Sequence, residues 1–230
     1  MGSLTPNKAN RMHNALKIAI LISGRGSNMQ KLVEAAATNN AEVVLVAADK
    51  DAKGIKWADK HGLNTCILRP VEFGGRHPGQ ETALANKIIA SDADFIFLAG
   101  YMAILSEDFV QKFSNKIINI HPSLLPKYKG LNTHRRALEN ADTMHGATVH
   151  VVTAALDDGP ILLQGVVPIK KDDNEDSLAK RTLTVEHIIY PEVLSALSTK
   201  VLEIRDGLPK WDKSALSRLL DQYPNLSIGN

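Results

Sequence analysis

The most constraining feature of this sequence is the alternation of short apolar runs with helical patterns over its first 120 residues. Runs of β-branched and aliphatic residues predict strands, and the amphipathic segments between them predict helices. A strand–helix–strand rhythm is typical of a mostly parallel sheet covered by helices on both faces. The sequence therefore predicts an α/β fold with a Rossmann-like twisted sheet, whose strands are Lys17–Ser23, Glu42–Ala48, Thr65–Leu68, Phe95–Ala99 and Lys116–Ile120.

The pattern changes after Gly130. Two strand-like runs, Ala147–Val152 and Ile161–Ile169, follow a short helical segment. Residues 153–160 between them are too few for a crossover helix, so the two runs are predicted to pair antiparallel. The sheet is therefore expected to have an antiparallel C-terminal part.

The rest of the chain fits a single domain. Ser177–Leu197 predicts a long helix, and the tail from Val201 to Asn230 predicts an edge strand and a short helix. No repeat or low-complexity linker divides residues 15–230. The polar segment 1–14 lacks the apolar core of a signal peptide and is expected to be a disordered leader.

Composition narrows the function classes. Apolar residues make up 44% of the chain and the formal net charge is +2, which argues against a nucleic-acid or membrane partner. No apolar stretch approaches the ~20 residues of a membrane helix. A single cysteine, Cys66, rules out an intrachain disulfide framework. We therefore expect a reducing compartment, the cytoplasm.

A glycine-rich loop follows the first predicted strand. In "SGRGSN", Gly24 and Gly26 allow a tight turn, and Ser27 and Asn28 are suitable N-cap residues for the next helix. Such a turn presents backbone N–H groups to an anion of phosphate size. Met29 occupies the third small position of a dinucleotide fingerprint, so a monophosphate fits better. A capped turn with no ligand is the structural alternative.

A polar cluster is predicted at the carboxyl edge of the sheet. Asn119 and His121 leave the fifth strand two residues apart and therefore face the same side. Asp157 or Asp158, in "LDDGP", could reach His121 and favour its charged form. An imidazolium and an amide are both donors, and two converging donors suit a developing oxyanion. Alternatively, His121-Pro122 simply ends a strand and caps a turn.

Other histidines give weaker signals. His134 lies beside Arg135 and Arg136 on a short helix, where a solvated face is expected. His150 alternates with valines and could face the cleft or the core. No pair has metal-site spacing, so no metal is expected. Since no serine, cysteine or metal triad is evident, direct group transfer is favoured over a covalent intermediate.

Five segments in order carry a family resemblance: "SGRGSN", "LAGYMAILS", "NIHPSLLPKYKG", "HGATVHVVT" and "LDDGPILLQ". They resemble the phosphoribosylglycinamide formyltransferases of the folate-dependent formyltransferase family, over about Lys17 to Pro191. The resemblance implies transfer of a formyl group from 10-formyltetrahydrofolate to the amine of glycinamide ribonucleotide, in purine (IMP) biosynthesis. It implies small-molecule substrates and no metal, and it leaves a monomer or a homodimer open.

The resemblance also assigns roles to residues of this chain. It implies that Asn119, His121 and Asp157 are catalytic, and that it is Asp157 that partners His121. The ribonucleotide phosphate and ribose would be bound by Gly26, Ser27, Asn28 and Glu186. The folate cofactor would be bound by Arg76, Met102, Ala103, Ile104, Leu105 and Asn119.

The chain departs from the family pattern on the cofactor side. Ala103 stands where better-known members carry Arg, Ala154 where many carry Asp, and Asp158 where Gly is common. Two alternative functions stay open at this point. A formyltetrahydrofolate deformylase would use water as acceptor but usually carries a further N-terminal domain. A non-catalytic nucleotide-binding module would need the glycine loop and none of the Asn–His–Asp set.

Overall fold

A computed structural model describes residues 15–228, with only the backbone described at residues 76 and 77. It contains ten strands and seven α-helices within those residues. The strands are β1 (Leu16–Ile22), β2 (Ala41–Ala48), β3 (Thr65–Ile67), β4 (Phe95–Leu98), β5 (Ile117–His121), β6 (Met144–Val151), β7 (Ile161–Pro168), β8 (Leu202–Arg205), β9 (Leu208–Trp211) and β10 (Leu226–Ser227). The helices are α1 (Ser27–Thr38), α2 (Lys53–Lys60), α3 (Glu81–Ala90), α4 (Glu107–Lys112), α5 (Thr133–Glu139), α6 (Glu175–Ser198) and α7 (Lys213–Gln222).

Eight strands form one sheet in the order β10-β7-β6-β5-β4-β1-β2-β3. The five strands from β5 to β3 in this order are parallel. β6, β7 and β10 continue the sheet with antiparallel pairing. The predicted mostly parallel sheet with an antiparallel C-terminal part is confirmed.

The sheet is buried on both faces, as its alternating side chains require. Ile18, Ile20 and Ile22 of β1 pack in one apolar cluster with residues of α1, α2 and α6. Ala19 and Leu21 point the other way, into a cluster with α3 and α4. Helices on both faces hold the sheet rigidly, which fixes the positions at which its strands end.

Helix α6 is joined to the strand ends next to the polar cluster. The hydroxyl of Tyr190, which is fully buried, lies 3.0 Å from the carbonyl oxygens of Leu98 and Ile118. Ile118 directly precedes Asn119 on β5, and Leu98 is the residue of β4 that pairs with Asn119. This contact ties the longest helix to the edge of the sheet where the site lies.

The tail matches its prediction in part. β10 is an edge strand beside β7, and α7 is the predicted short helix. The separate β8–β9 hairpin was not predicted. An Asp206-Gly207 turn, with both residues at positive φ, is a recognised hairpin signal that could have identified it. Over residues 15–228, no helix is long and apolar enough to cross a bilayer.

Candidate active site

A cavity of about 590 Å³ lies at the carboxyl ends of β4 and β5. Ligands of open parallel sheets bind at this edge, so its position agrees with the topology. The loop after β4, the loop between β5 and α5, and the loop between β6 and β7 form its walls. The polar side chains that line it include Asn119, His121, Thr133, His134, His150 and Asp157.

Asn119 and His121 enter this cavity from β5. Both line it, as their spacing on one strand predicts. His121 is 6% exposed, and Asn119 is half-buried. The structure therefore brings the amide and the imidazole together within one enclosed space.

Both ring nitrogens of His121 face oxygen acceptors. Nδ1 lies 3.3 Å from Oδ2 of Asp157, and Nε2 lies 2.9 Å from the carbonyl oxygen of Tyr128. Each ring nitrogen therefore has an oxygen acceptor close by for any proton that it carries. The Nδ1 contact is long for a charge-assisted hydrogen bond. A proton on Nδ1 is therefore not committed to Asp157 and is within reach of a ligand in the cavity.

Of the two acidic residues in the β6–β7 loop, Asp157 contacts His121 and Asp158 does not. Asp157 has φ +46°, and its Oδ2 accepts a 2.8 Å hydrogen bond from the backbone N–H of Gly130. Asp158 instead pairs with the ammonium group of Lys129. The loop thus directs one carboxylate inward and the next one outward.

His150 orients the amide of Asn119. The two residues are opposite each other on β5 and β6, with Asn119 Nδ2 3.2 Å from His150 Nε2. His150 Nδ1 lies 3.0 Å from the carbonyl oxygen of Val151, so Nδ1 carries the proton and Nε2 accepts. Burial lowers the pKa of His150, which keeps it neutral. One N–H of Asn119 is used in this bond, and the second is available to a ligand.

The glycine-rich loop differs in one detail from its prediction. Gly26, at φ 78°, is the N-cap of α1, so the assignment of Ser27 or Asn28 as the cap was wrong. No side chain caps the first turn of α1, which leaves backbone N–H groups for an anion. The Asn28 side chain turns instead to Glu186, with Nδ2 2.6 Å from Oε2.

Glu186 is therefore part of the same subsite as the loop. It is 8% exposed, and burial raises the pKa of its carboxyl. Oδ1 of Asn28 is buried and has no hydrogen-bond partner among residues 15–228. A buried acceptor without a partner is costly unless a ligand supplies a donor.

The glycine-rich loop packs against the start of α2, a contact that the sequence did not predict. Gly54 N–H donates to the Gly24 carbonyl at 3.1 Å. A Cβ at Gly54 would lie 2.5 Å from Cδ1 of Ile22. The same Cβ would lie 3.2 Å from the Gly24 carbonyl oxygen and from Gly26 Cα, so glycine at position 54 permits the close approach of α2 to the loop.

The residues assigned to the cofactor line the other end of the cavity. Met102 and Ile104 are 60% and 73% exposed, while Ala103 is buried and Leu105 half-buried. Ser23 Oγ accepts a 2.8 Å hydrogen bond from the backbone N–H of Met102, which joins this segment to the end of β1. The side chain of Arg76 lies outside the described residues.

Two features of the site were not predicted. The Tyr128 carbonyl holds His121, and only the glycine that ends "PKYKG" signalled a tight turn there. His134, predicted on a solvated face, is half-buried and lines the cavity, with Nδ1 3.0 Å from Nε2 of His145. The prediction failed because α5 packs that face towards β6. Burial lowers the pKa of His134, and it lowers that of His145 to about 4.

No group of three His, Cys, Asp or Glu side chains that could hold a metal ion occurs among the described residues. The donors of the cavity are instead amide, imidazole and backbone N–H groups, arranged around an acid. This set suits stabilisation of an oxyanion during transfer of an acyl-type group.

Comparison with known proteins identifies the family of this chain. The formyl transferase family model matches residues 16–194. Phosphoribosylglycinamide formyltransferase of Escherichia coli K12 is 45% identical over 204 residues, which are 87% of this chain and 96% of that protein. The solved structure of the Coxiella burnetii enzyme of that name has TM-score 0.81 and 41% identity, covering 86% and 94% of the two chains.

A solved formyltetrahydrofolate deformylase from Burkholderia mallei shares the fold, with TM-score 0.78, 24% identity and coverage of 88% and 72%. At that identity the likeness concerns the fold alone. The family match covers most of the described residues, and the two relatives named above cover 87% and 86% of this chain. The chain therefore belongs to the formyl transferase family and, within it, to the phosphoribosylglycinamide formyltransferases.

Proposed function

We propose that this protein transfers the formyl group of 10-formyltetrahydrofolate directly to the amine of glycinamide ribonucleotide, a step of purine biosynthesis. The observation that carries the proposal is the buried contact of His121 with Asp157 beside Asn119, at the end of a 590 Å³ cavity. The identity to phosphoribosylglycinamide formyltransferases of other organisms supports the choice of substrates.

In this mechanism Asn119 and His121 stabilise negative charge on the formyl oxygen. The free N–H of Asn119 and the Nδ1–H of His121 both reach the cavity from one face of β5. As the amine attacks the formyl carbon, the oxygen gains charge and both donor bonds strengthen. A preorganised donor of this kind contributes roughly 3–4 kcal/mol to the rate.

Asp157 has two roles in the proposal. Its carboxylate stabilises the imidazolium of His121, and through a water it accepts the proton that the attacking amine loses. The Gly130 N–H, which donates to Oδ2 at 2.8 Å, holds the carboxylate in place. The amine's proton then passes to the nitrogen of the cofactor as that C–N bond breaks.

The ribonucleotide is placed by the loop and α6. Gly26, Ser27 and Asn28 bind the 5′-phosphate at the uncapped start of α1, and Glu186 accepts hydrogen bonds from the ribose. The orphaned Oδ1 of Asn28 would gain a donor when the sugar binds. Holding the amine next to the formyl carbon makes the reaction effectively unimolecular, which supplies much of the acceleration.

The cofactor is assigned to the wall formed by Met102, Ala103, Ile104 and Leu105. These side chains present apolar surface to a flat aromatic ligand, and backbone groups of the segment supply polar contacts. Arg76 is proposed as a contact to the cofactor's carboxylates, on the basis of the resemblance alone.

An assay with two arms tests the proposed function. Consumption of 10-formyltetrahydrofolate is followed with and without glycinamide ribonucleotide. Consumption that requires the ribonucleotide, with formylated product, is the expected result. Consumption without it would indicate a deformylase, and none in either arm would indicate a binding module.

We further propose that residues 15–230 act as one domain, located in the cytoplasm, as a monomer or a homodimer. The single cysteine and the continuous sheet from β3 to β10 support this. Sedimentation of the full chain separates the monomer from the dimer.

A further inference from the structure

We infer that the ion pair between Lys129 and Asp158 positions the catalytic Asp157, and this inference rests on the catalytic role proposed above for that residue. Two polar contacts, an ion pair and a hydrogen bond, join the loop after β5 to the loop after β6. The Lys129 ammonium pairs with Asp158, and the Gly130 N–H donates to Asp157 at 2.8 Å. Neighbouring residues of one loop thus bind neighbouring residues of the other.

Asp157 needs such support because of its backbone. Its φ of +46° lies in the left-handed region, which costs free energy for a residue other than glycine. Its carboxylate must nevertheless stay within reach of His121 Nδ1, at 3.3 Å. A second link at Asp158 limits the turn's freedom to relax away from His121.

The other side of the ion pair is firmly anchored. Arg136 on α5 donates to the Lys129 carbonyl at 2.7 Å, and its guanidinium lies 5.1 Å from the centre of the Tyr128 ring. The same Tyr128 supplies the carbonyl that holds His121 Nε2. Lys129 therefore connects Asp158 to a segment that already fixes one side of the catalytic ring.

The pairing is specific to these two side chains. Among the described residues, Lys129 and Asp158 form ion pairs only with each other. Their side chains are 37% and 55% exposed, so the pair lies at the surface and salt can screen it. The same loop offers a control in Lys127, whose ammonium group pairs with Asp142 and with none of Asn119, His121 and Asp157 among the described residues.

The test is a double-mutant cycle on the full chain with Lys129→Met, Asp158→Asn and their combination. We expect each single variant to lower kcat about two- to fivefold, the range of an exposed ion pair. The KM for glycinamide ribonucleotide and the melting temperature should change little. The double variant should lose no more than either single variant, because both remove the same link.

Three further measurements distinguish positioning of Asp157 from a general contribution of the ion pair to stability. Lys129→Arg should keep wild-type kcat, and Lys127→Met should leave it unchanged. Raising the salt concentration should lower kcat of the wild type towards that of Lys129→Met and leave that variant unaffected. If Lys129→Met folds poorly, Asp158→Asn gives the same test from the other side.

Multiplicative losses in the double variant, unchanged kcat in both single variants, or a change confined to KM would overturn the inference. The wild type and His121→Ala are assayed in parallel. If any of those results is found while the wild type is active and His121→Ala is inactive, only the role of the ion pair is contradicted. An active His121→Ala would instead sink the proposed catalytic site.

Discussion

The inner and outer ends of the cavity are built from different kinds of contact. At the inner end, Asn119, His121, His150 and Asp157 are bonded to one another or to backbone groups. At the outer end, apolar side chains face solvent, with Met102, Ile104, Leu131 and Leu156 between 59% and 75% exposed. Hydrogen bonds fix the positions of the side chains at the inner end. At the outer end, a ligand would be bound through the apolar surface that it covers.

This difference predicts how each region responds to substitution. Removing one donor at the inner end should lower kcat strongly, because donors aimed at a developing charge act on the transition state. Trimming an apolar side chain at the outer end should raise a KM slightly, because it removes uniform binding.

His121→Ala should lower kcat by a factor of about 10³, since it removes a charged donor and strands Asp157. Isothermal titration should show that glycinamide ribonucleotide still binds with affinity close to that of the wild type. A kcat within threefold of the wild type would remove His121 from the chemistry.

The buried His145 on β6 should make the stability of the folded protein sensitive to acid. The pKa of His145 falls from 6.5 to about 4 in the folded protein, so its contribution is complete above pH 6.5 and is lost as pH falls towards 4. The loss is on the order of 3 kcal/mol at most. Denaturant melts of His145→Leu should show a flatter pH dependence than the wild type. Equal slopes would exclude His145 as the cause.

His150→Leu should lower kcat about tenfold, because the Asn119 amide loses the acceptor that orients it. His145→Leu is the matched control, being a buried histidine on the same strand that does not contact Asn119. The control should keep wild-type kcat at pH 8. Equal losses in the two variants would point to damage to β6 and not to amide orientation.

Glu186→Gln should raise the KM for ribonucleotide about fivefold and leave kcat nearly unchanged. The amide keeps one acceptor but not the charge, and it competes with Asn28 as a donor. Because burial raises the pKa of Glu186, the neutral amide should not lower the melting temperature at pH 8. A fall in kcat without a change in KM would contradict the binding role.

Met102→Ala should raise the KM for 10-formyltetrahydrofolate only two- to threefold, or roughly 0.5 kcal/mol, since the side chain is already 60% exposed. Val71→Ala, at an exposed position that does not line the cavity, is the control. A hundredfold effect of Met102→Ala would show that the outer end is as preorganised as the inner end.

The placement of Asn119 and His121 at the inner end could be predicted from the residues themselves, whereas the outer end was assigned by resemblance, and the reason is physical. The strand period places Asn119 and His121 on one face, and the sheet topology places that face at a ligand edge. The positions of strands β1 to β5 along the chain follow from apolar runs that can be read locally. Glycines 24 and 26 likewise marked the loop before α1.

Features set by tertiary contacts could not be read in this way. The Asn28–Glu186 bond joins residues 158 positions apart. The Tyr128 carbonyl and the inward turn of His134 depend on how the loop after β5 and helix α5 fold back on the sheet. Gly54 carried no signal because its tight contacts are with Ile22, Gly24 and Gly26, about thirty residues earlier. The residues alone left Asp157 and Asp158 open, and the resemblance selected Asp157; the left-handed turn that directs this carboxylate to His121 is a feature of the fold.

The central claim is that Asn119 and His121 converge on the oxygen of the group being transferred. A crystal structure with glycinamide ribonucleotide and a stable carbonyl-bearing folate analogue measures this directly. We predict that the carbonyl oxygen lies about 3 Å from both Asn119 Nδ2 and a ring nitrogen of His121, with Asp157 still against the ring. An oxygen directed away from both donors, or Asp157 turned out of contact with His121, would contradict the account.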